Sequence, residues 1–244
     1  MDYWGVSPPM RFDELSYEEK RKFRYDLQDY MHDFYQFDKF SGKKILEVGS
    51  GAGIDSCEFA RNDANVISAD FTEIAVKLTK DLTRKYNGEA TRCTSTSLPF
   101  QENTFDVVYS FGVIHHVSDI DTVLKEIFRV LKPSGIFMGM VYNKDSLLYA
   151  YLMYYYGIKE GMIHKMSEEQ LISKFSERRD GCPYTKAYTI NEFKQLLQKH
   201  NFNNIETRIF YNTFDIPEHK RKIKFKLDDE IEIGWHIAFK ATKL

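Results

Sequence analysis

Lys43-Lys44-Ile45-Leu46-Glu47-Val48-Gly49-Ser50-Gly51-Ala52-Gly53-Ile54-Asp55 decides how the rest of this 244-residue chain is read. An apolar run too short for a helix meets three glycines at alternate positions, and a helical pattern from Asp55 to Ala64 follows at once. The order is strand, tight turn, helix. Glycines belong in such a turn because a side chain would keep a ligand off the backbone, and because the turn needs dihedrals that a β-carbon disfavours. The stretch reads as a nucleotide cradle, with a ligand-free glycine turn as the plain alternative.

The neighbours narrow the nucleotide. A dinucleotide site has G-x-G-x-x-G with the pyrophosphate at a helix N-terminus. Here the third glycine comes one residue early, Ile54 takes its place, and Glu47 brings a carboxylate that repels pyrophosphate. Such a carboxylate suits a ligand with an ammonium and a sulfonium. Leu46 to Gly53 resembles the first motif of the class I S-adenosylmethionine-dependent methyltransferases. The resemblance implies an α/β, Rossmann-like fold: a seven-stranded mixed sheet in the order 3-2-1-4-5-7-6 with helices on both faces. It also implies S-adenosyl-L-methionine as cofactor, held at Glu47, Gly49, Ser50, Gly51, Gly53 and Asp55.

Later landmarks follow in order. Asn65 to Asp70 reads as a second strand ending in an acid roughly 20 residues past the first glycine, the separation of a ribose contact in a βαβ unit. Asp70 is thus the candidate for the two ribose hydroxyls, with Phe71 against the adenine and Thr72 capping the next helix. A third strand, Glu89 to Thr94, leads into Ser95-Thr96-Ser97-Leu98-Pro99-Phe100. The family places an adenine-binding acid near this strand end; here Thr94 stands in its place, so the contact passes to Thr94, Ser95, Thr96 or Ser97.

Phe105 to Val117 supplies a fourth strand ending near Phe111, where ligands of open α/β sheets bind. Phe111 and Gly112 border the cofactor, and His115-His116 resembles the Gly-Val-Leu-His-His segment of small-molecule methyltransferases. Both histidines are catalytic candidates. His115 is expected to face the acceptor and His116 to be structural, because adjacent residues leaving a strand point in opposite directions. Asp119 to Leu131 is a helix, and Lys132-Pro133-Ser134-Gly135 repeats the family's turn with Ser134 for one glycine before a fifth strand, Ile136 to Tyr142.

Four regions result: an N-terminal helical cap (1–40), a cofactor-binding core (41–143), a helical insertion reading as a substrate lid (144–188), and a C-terminal helix with strands (189–244). In the cap, Ser16 and Glu19 form a capping-box pattern, and Phe23, Leu27, Tyr30, Met31 and Phe34 predict one amphipathic helix to about Phe37. That helix either packs on the sheet or, with Tyr3 and Trp4, folds over the pocket. The lid offers Tyr184, Lys186 and Tyr188, with Tyr142 at the strand end, as acceptor contacts. Arg178 and Arg179 read as a solvated pair or an anion site. The basic run from His219 to Lys226 reads as an exposed hairpin or edge strand.

Composition sets the outer limits. Formal net charge is −2 and 43% of residues are hydrophobic, which supplies a core and gives no global pull toward nucleic acid. Three scattered cysteines without CxxC spacing indicate neither a disulfide framework nor a metal site, and fit a reducing cytoplasm. The start lacks a secretory pattern, and the tyrosine-rich stretch at Ser146 to Ile158 is too short to span a bilayer. The expected activity is methyl transfer to a small-molecule acceptor, most simply at oxygen. The rivals are an RNA or protein acceptor, a cofactor-binding protein without catalysis, and, more distantly, a nicotinamide dehydrogenase. The sequence leaves oligomeric state open.

Overall fold

The computed structural model describes residues 15–176, 184–210, 213–216, 221–224 and 233–244. Tyr3, Trp4, Arg178 and Arg179 therefore lie outside the described residues. Short apolar runs become the parallel strands β1 (Lys44–Val48), β2 (Asn65–Asp70), β3 (Glu89–Arg92), β4 (Phe105–Phe111) and β5 (Leu131–Tyr142). After these come β6 (Phe202–Phe210), the pair β7 (Thr213–Ile216) and β8 (Arg221–Lys224), and β9 (His236–Lys243). The main sheet runs β3-β2-β1-β4-β5-β9-β6, with β9 antiparallel to both neighbours. Because β7 and β8 pair in a separate two-stranded sheet, β9 takes the place of the expected seventh strand.

Alternation along the central strands feeds two cores. Ile45, Val107, Tyr109, Phe111, Met138 and Met140 face α1 (Tyr17–Leu27), α2 (Met31–Tyr35) and α3 (Ile54–Arg61). Leu46, Val48, Val108, Phe137 and Phe239 face α5 (Ile120–Val130) and α8 (Ile190–Lys199). On the first side, α4 (Glu73–Thr83) packs beside α3 and over β2 and β3. The insertion after β5 holds α6 (Leu147–Leu152), a π-helical stretch at Met153–Lys159 and α7 (Glu168–Ser176), and its Tyr149, Leu152, Leu171 and Ile172 join the first core.

Two expectations fail in instructive ways. The single N-terminal helix is α1, α2 and a 3-10 turn at Phe37–Phe40, with a break at Gln28 to Tyr30. The inner face of α1 is not the apolar stripe either: Arg24, Tyr25 and Gln28 are buried while Phe23 and Leu27 are only half-buried. The fifth strand begins at Leu131 rather than Ile136, with Ser134 held at φ 61° within it and a register shift against β4. A non-glycine residue seldom takes that conformation, so serine sits under local strain where the family's turn has glycine. The last strand starts at His236, and Ser16 and Thr189 both close complete capping boxes.

Candidate functional site

The cradle forms where β1 ends. Gly49 at φ 82° and Gly53 at φ 76° sit in the left-handed region, and a β-carbon would lie 2.3 Å from Val113 at the first and 2.7 Å from Thr79 at the second. No other residue fits at either place. Gly49 N–H donates to Ala69 carbonyl at 2.7 Å, which pins the loop to the end of β2. Buried Ser50 accepts from the Thr79 hydroxyl at 3.0 Å, tying the loop to α4.

Asp70 is held rigidly at the rim. Its Oδ2 accepts from Gly51 N–H at 3.0 Å, and its Oδ1 accepts from Thr72 N–H at 2.8 Å and the Thr72 hydroxyl at 3.0 Å. Three of a carboxylate's roughly four acceptor sites are thereby taken, leaving one on Oδ2 for a hydroxyl of a diol. Phe71 beside it is 67% exposed, an open aromatic face at the same rim. Thr72 caps α4 by accepting from Ala75 N–H at 3.2 Å. Across the rim, Thr94 and Ser97 close a tight turn in which Ser97 N–H takes the Thr94 carbonyl at 3.2 Å, and the Thr96 hydroxyl donates to that of Thr94. The Thr94 carbonyl keeps a second lone pair, and hydroxyls add further polar groups to this wall. Ser95 sits in the same turn, half-buried.

Beneath the loop is a buried polar network that sequence reasoning missed. Asp55, expected to line the cradle, instead accepts from Arg24 Nε at 3.1 Å and Nη2 at 2.5 Å, from Tyr25 at 3.1 Å and from Tyr109 at 2.9 Å. Its carboxylate is turned under α1 because that helix brings in the countercharge. Arg24 also donates to Gln28 and lies 4.3 Å above the ring of Phe111. A second rung, Arg21 to Glu58, repeats the contact one turn away. Glu47 is 3% exposed and accepts from the Ser56 hydroxyl, which also pairs with Ser68 at 2.6 Å. Burial first, and Asp55 second, push its carboxyl well above the usual carboxylate range. The one hint in the sequence was arginines three apart on a helix that must pack inward.

The tandem histidines lie on a 3-10 turn, Ile114–His116, not on extended chain. Alternation along a strand therefore does not separate them; their rings lie 4.3 Å apart. What differs is their surroundings. His116 Nδ1 reaches the Thr185 hydroxyl at 3.0 Å and the Tyr184 carbonyl at 3.2 Å. His115 is 0% exposed, and among the described residues neither ring nitrogen has a hydrogen-bond partner. Buried polar atoms are normally satisfied, and none of the described residues satisfies this imidazole. Burial, with His116 and His236 adding to it, holds His115 well below the ordinary histidine range. It is neutral at pH 7 and able to take a proton.

An aromatic wall continues from it. Tyr142 lies 4.0 Å from the His115 ring, Trp235 stacks on Tyr142 at 4.3 Å, and His236 meets Phe111 edge-on at 5.8 Å. His236 Nδ1 contacts the Tyr30 hydroxyl at 2.9 Å, and burial, aided by Arg24, pushes its pKa down to about 3. Because β9 is antiparallel, its first residues reach the edge where β4 and β5 end. Of the lid candidates, Tyr184 is exposed and Lys186 half-buried, and Lys186 N–H donates to the His115 carbonyl at 3.0 Å. Tyr188 is the correction: it is buried in the second core against Phe193, because its backbone pairs with Tyr142 and Lys144 and so turns the ring inward.

These residues fit a ligand with a diol at one end and a cationic amino-acid tail at the other: Asp70 is oriented and open, and Glu47 is a buried carboxyl whose nearest partner is a hydroxyl. The comparisons agree. Residues 46–139 match the model of a methyltransferase domain. The chain is 33% identical over 128 residues to the ubiquinone/menaquinone biosynthesis C-methyltransferase UbiE of Haemophilus ducreyi, covering 48% of this chain and 49% of that protein. It is 31% identical over 140 residues to the mitochondrial arginine-hydroxylase NDUFAF5 of Mus musculus, covering 57% and 38%. The chain thus spans less than half the length of these curated relatives. A SAM-dependent methyltransferase structure from Methanosarcina mazei superposes with a TM-score of 0.58 at 19% identity, over 87% of this chain and 97% of that one. Domain match over residues 46–139, sheet order and glycine cradle together make the chain similar to the class I S-adenosylmethionine-dependent methyltransferases.

Proposed function

We propose that this chain transfers a methyl group from S-adenosylmethionine to a small, hydroxylated aromatic acceptor. The observation that carries the reading is His115, buried and, among the described residues, unpartnered at the end of an aromatic wall. Glu47 and the glycine loop would hold the donor's amino-acid tail, Asp70 its ribose and Phe71 its adenine. The donor, when bound, supplies an electrophilic methyl on a positively charged sulfur. The chain's own part is to align the acceptor, exclude water and accept a proton. Tyr142 and Trp235, buried and stacked on each other, make the surroundings of His115 aromatic. His115 takes the acceptor's hydroxyl proton and later returns it to solvent.

Removing that proton activates both the oxygen and the ring carbons beside it. The expected oxygen methylation and the carbon methylation named for the Haemophilus ducreyi relative therefore share one arrangement of residues. The similarity to that relative favours carbon. Among the described residues no helix is long and apolar enough to cross a membrane, which places no bilayer-spanning element near the site.

The test is incubation with donor labelled with carbon-13 in its methyl group and a panel of phenols, catechols and quinols. The expected result is a labelled aromatic product formed in step with S-adenosylhomocysteine, the carbon shift of the methyl separating oxygen from carbon. Bound donor with no transfer to any member, or transfer only to RNA or protein, contradicts the reading.

A further inference from the structure

Glu47 is in an unusual position for an acid. It is almost fully buried at the end of β1, and the groups around it come from four other elements. From α3 come the Ser56 hydroxyl, which donates to it, and the Asp55 carboxylate. From β2 come Ser68, bonded to Ser56, and Asp70 at the strand end. Tyr109 of β4 sits opposite it in register. The cation that acts on it, Arg24 of α1, is bound in bidentate fashion to Asp55. Among the described residues the cluster therefore sets one guanidinium against Asp55 and Glu47, deep in the protein, with Asp70 at the rim. One cation cannot balance two buried carboxylates, and an unpaired buried charge is far costlier than a neutral acid.

We propose that Glu47 carries a proton in the donor-free protein and releases it when the donor's ammonium group enters the cradle. This rests on the reading that the cradle holds the donor. The ammonium supplies the missing positive charge, so the carboxylate form becomes the stable one and the proton leaves to solvent. Asp55 stays paired with Arg24 throughout. Proton balance then makes donor affinity depend on pH: it rises as pH rises toward the pKa that Glu47 has in the free protein, and levels off above it. The direction of that pKa, raised by burial and by Asp55, places the dependence above the ordinary carboxylate range.

The test is titration calorimetry with S-adenosylhomocysteine, which keeps the ammonium, in buffers of different ionisation enthalpy at one pH. 5′-Methylthioadenosine, which keeps ribose and adenine but lacks the amino-acid tail, is the control ligand. The expected heat for S-adenosylhomocysteine varies with the buffer, the slope reporting release of up to about one proton. The heat for 5′-methylthioadenosine does not vary. Glu47→Gln should bind S-adenosylhomocysteine with no buffer dependence. Should that variant not fold, the wild-type affinity measured from pH 5.5 to 7.5 gives a second reading, expected to improve by up to about tenfold per pH unit. Buffer-independent heat for S-adenosylhomocysteine, or equal proton release with the tail-less ligand, overturns the proposal while leaving the cradle reading intact. No heat with either ligand sinks both.

Discussion

Arg24→Met should lower the free energy of unfolding by about 3–5 kcal/mol, the cost of leaving a buried charge without its partner. Arg24 is 4% exposed, and its guanidinium holds both oxygens of Asp55 while resting on Phe111. Methionine preserves most of the apolar contact with Phe111 and removes the charge. Asp55 then keeps only the hydroxyls of Tyr25 and Tyr109. Those two donors do not offset a full buried charge. The double variant Arg24→Met with Asp55→Asn should recover a large part of the loss, since neither charge is then stranded. Urea denaturation of the four proteins measures this. If Arg24→Met unfolds within about 1 kcal/mol of wild type, in the range of an exposed pair, the network does not anchor α1 over the cradle.

His115→Ala should lower turnover by about 10²–10⁴-fold, the usual contribution of a positioned general base, with donor affinity within about twofold of wild type. The imidazole packs on His116 and Tyr142. Its lowered pKa has a defined consequence. A base acts in its neutral form, so activity is lost only as pH falls through that pKa, and the acid limb of the wild-type profile belongs well below 6.5. His115→Gln, closer in volume, guards against a packing effect and should show the same loss. An acceptor that arrives already ionised gives a different pattern: Michaelis constant raised, turnover kept. Turnover within twofold for both variants on a neutral phenol or quinol would remove His115 as the base.

How much of this was legible in the chain follows from how local each signal is. The strand-glycine-helix run at Lys43 to Asp55 and the acid at Asp70 declare themselves within about thirty residues, and Asp70 lies at the rim, tied to Gly51 and Thr72. The capping boxes at Ser16 and Thr189 are readable for the same reason. The facing of α1 was not, because its apolar stripe at Phe23 and Leu27 is only half-buried and its buried face carries Arg24 and Gln28. Local pattern gives way there to a polar network that needs Asp55 and Tyr109 to complete it. Trp235 and His236 gave no signal, since only the antiparallel insertion of β9 carries them to Tyr142, about ninety residues earlier in the chain. Tyr188 shows the converse. A motif carried it to the right segment, and backbone pairing with Tyr142 then buried its ring in the second core.

The central claim is that the donor's ribose is received by Asp70 beside the glycine loop. It is tested most directly by calorimetric titration of S-adenosylhomocysteine into wild type and Asp70→Ala. A carboxylate accepting a ribose hydroxyl contributes about 1.5–3 kcal/mol, so wild type should bind one equivalent and the variant should bind at least about tenfold more weakly. Equal affinity in the two proteins would contradict the account.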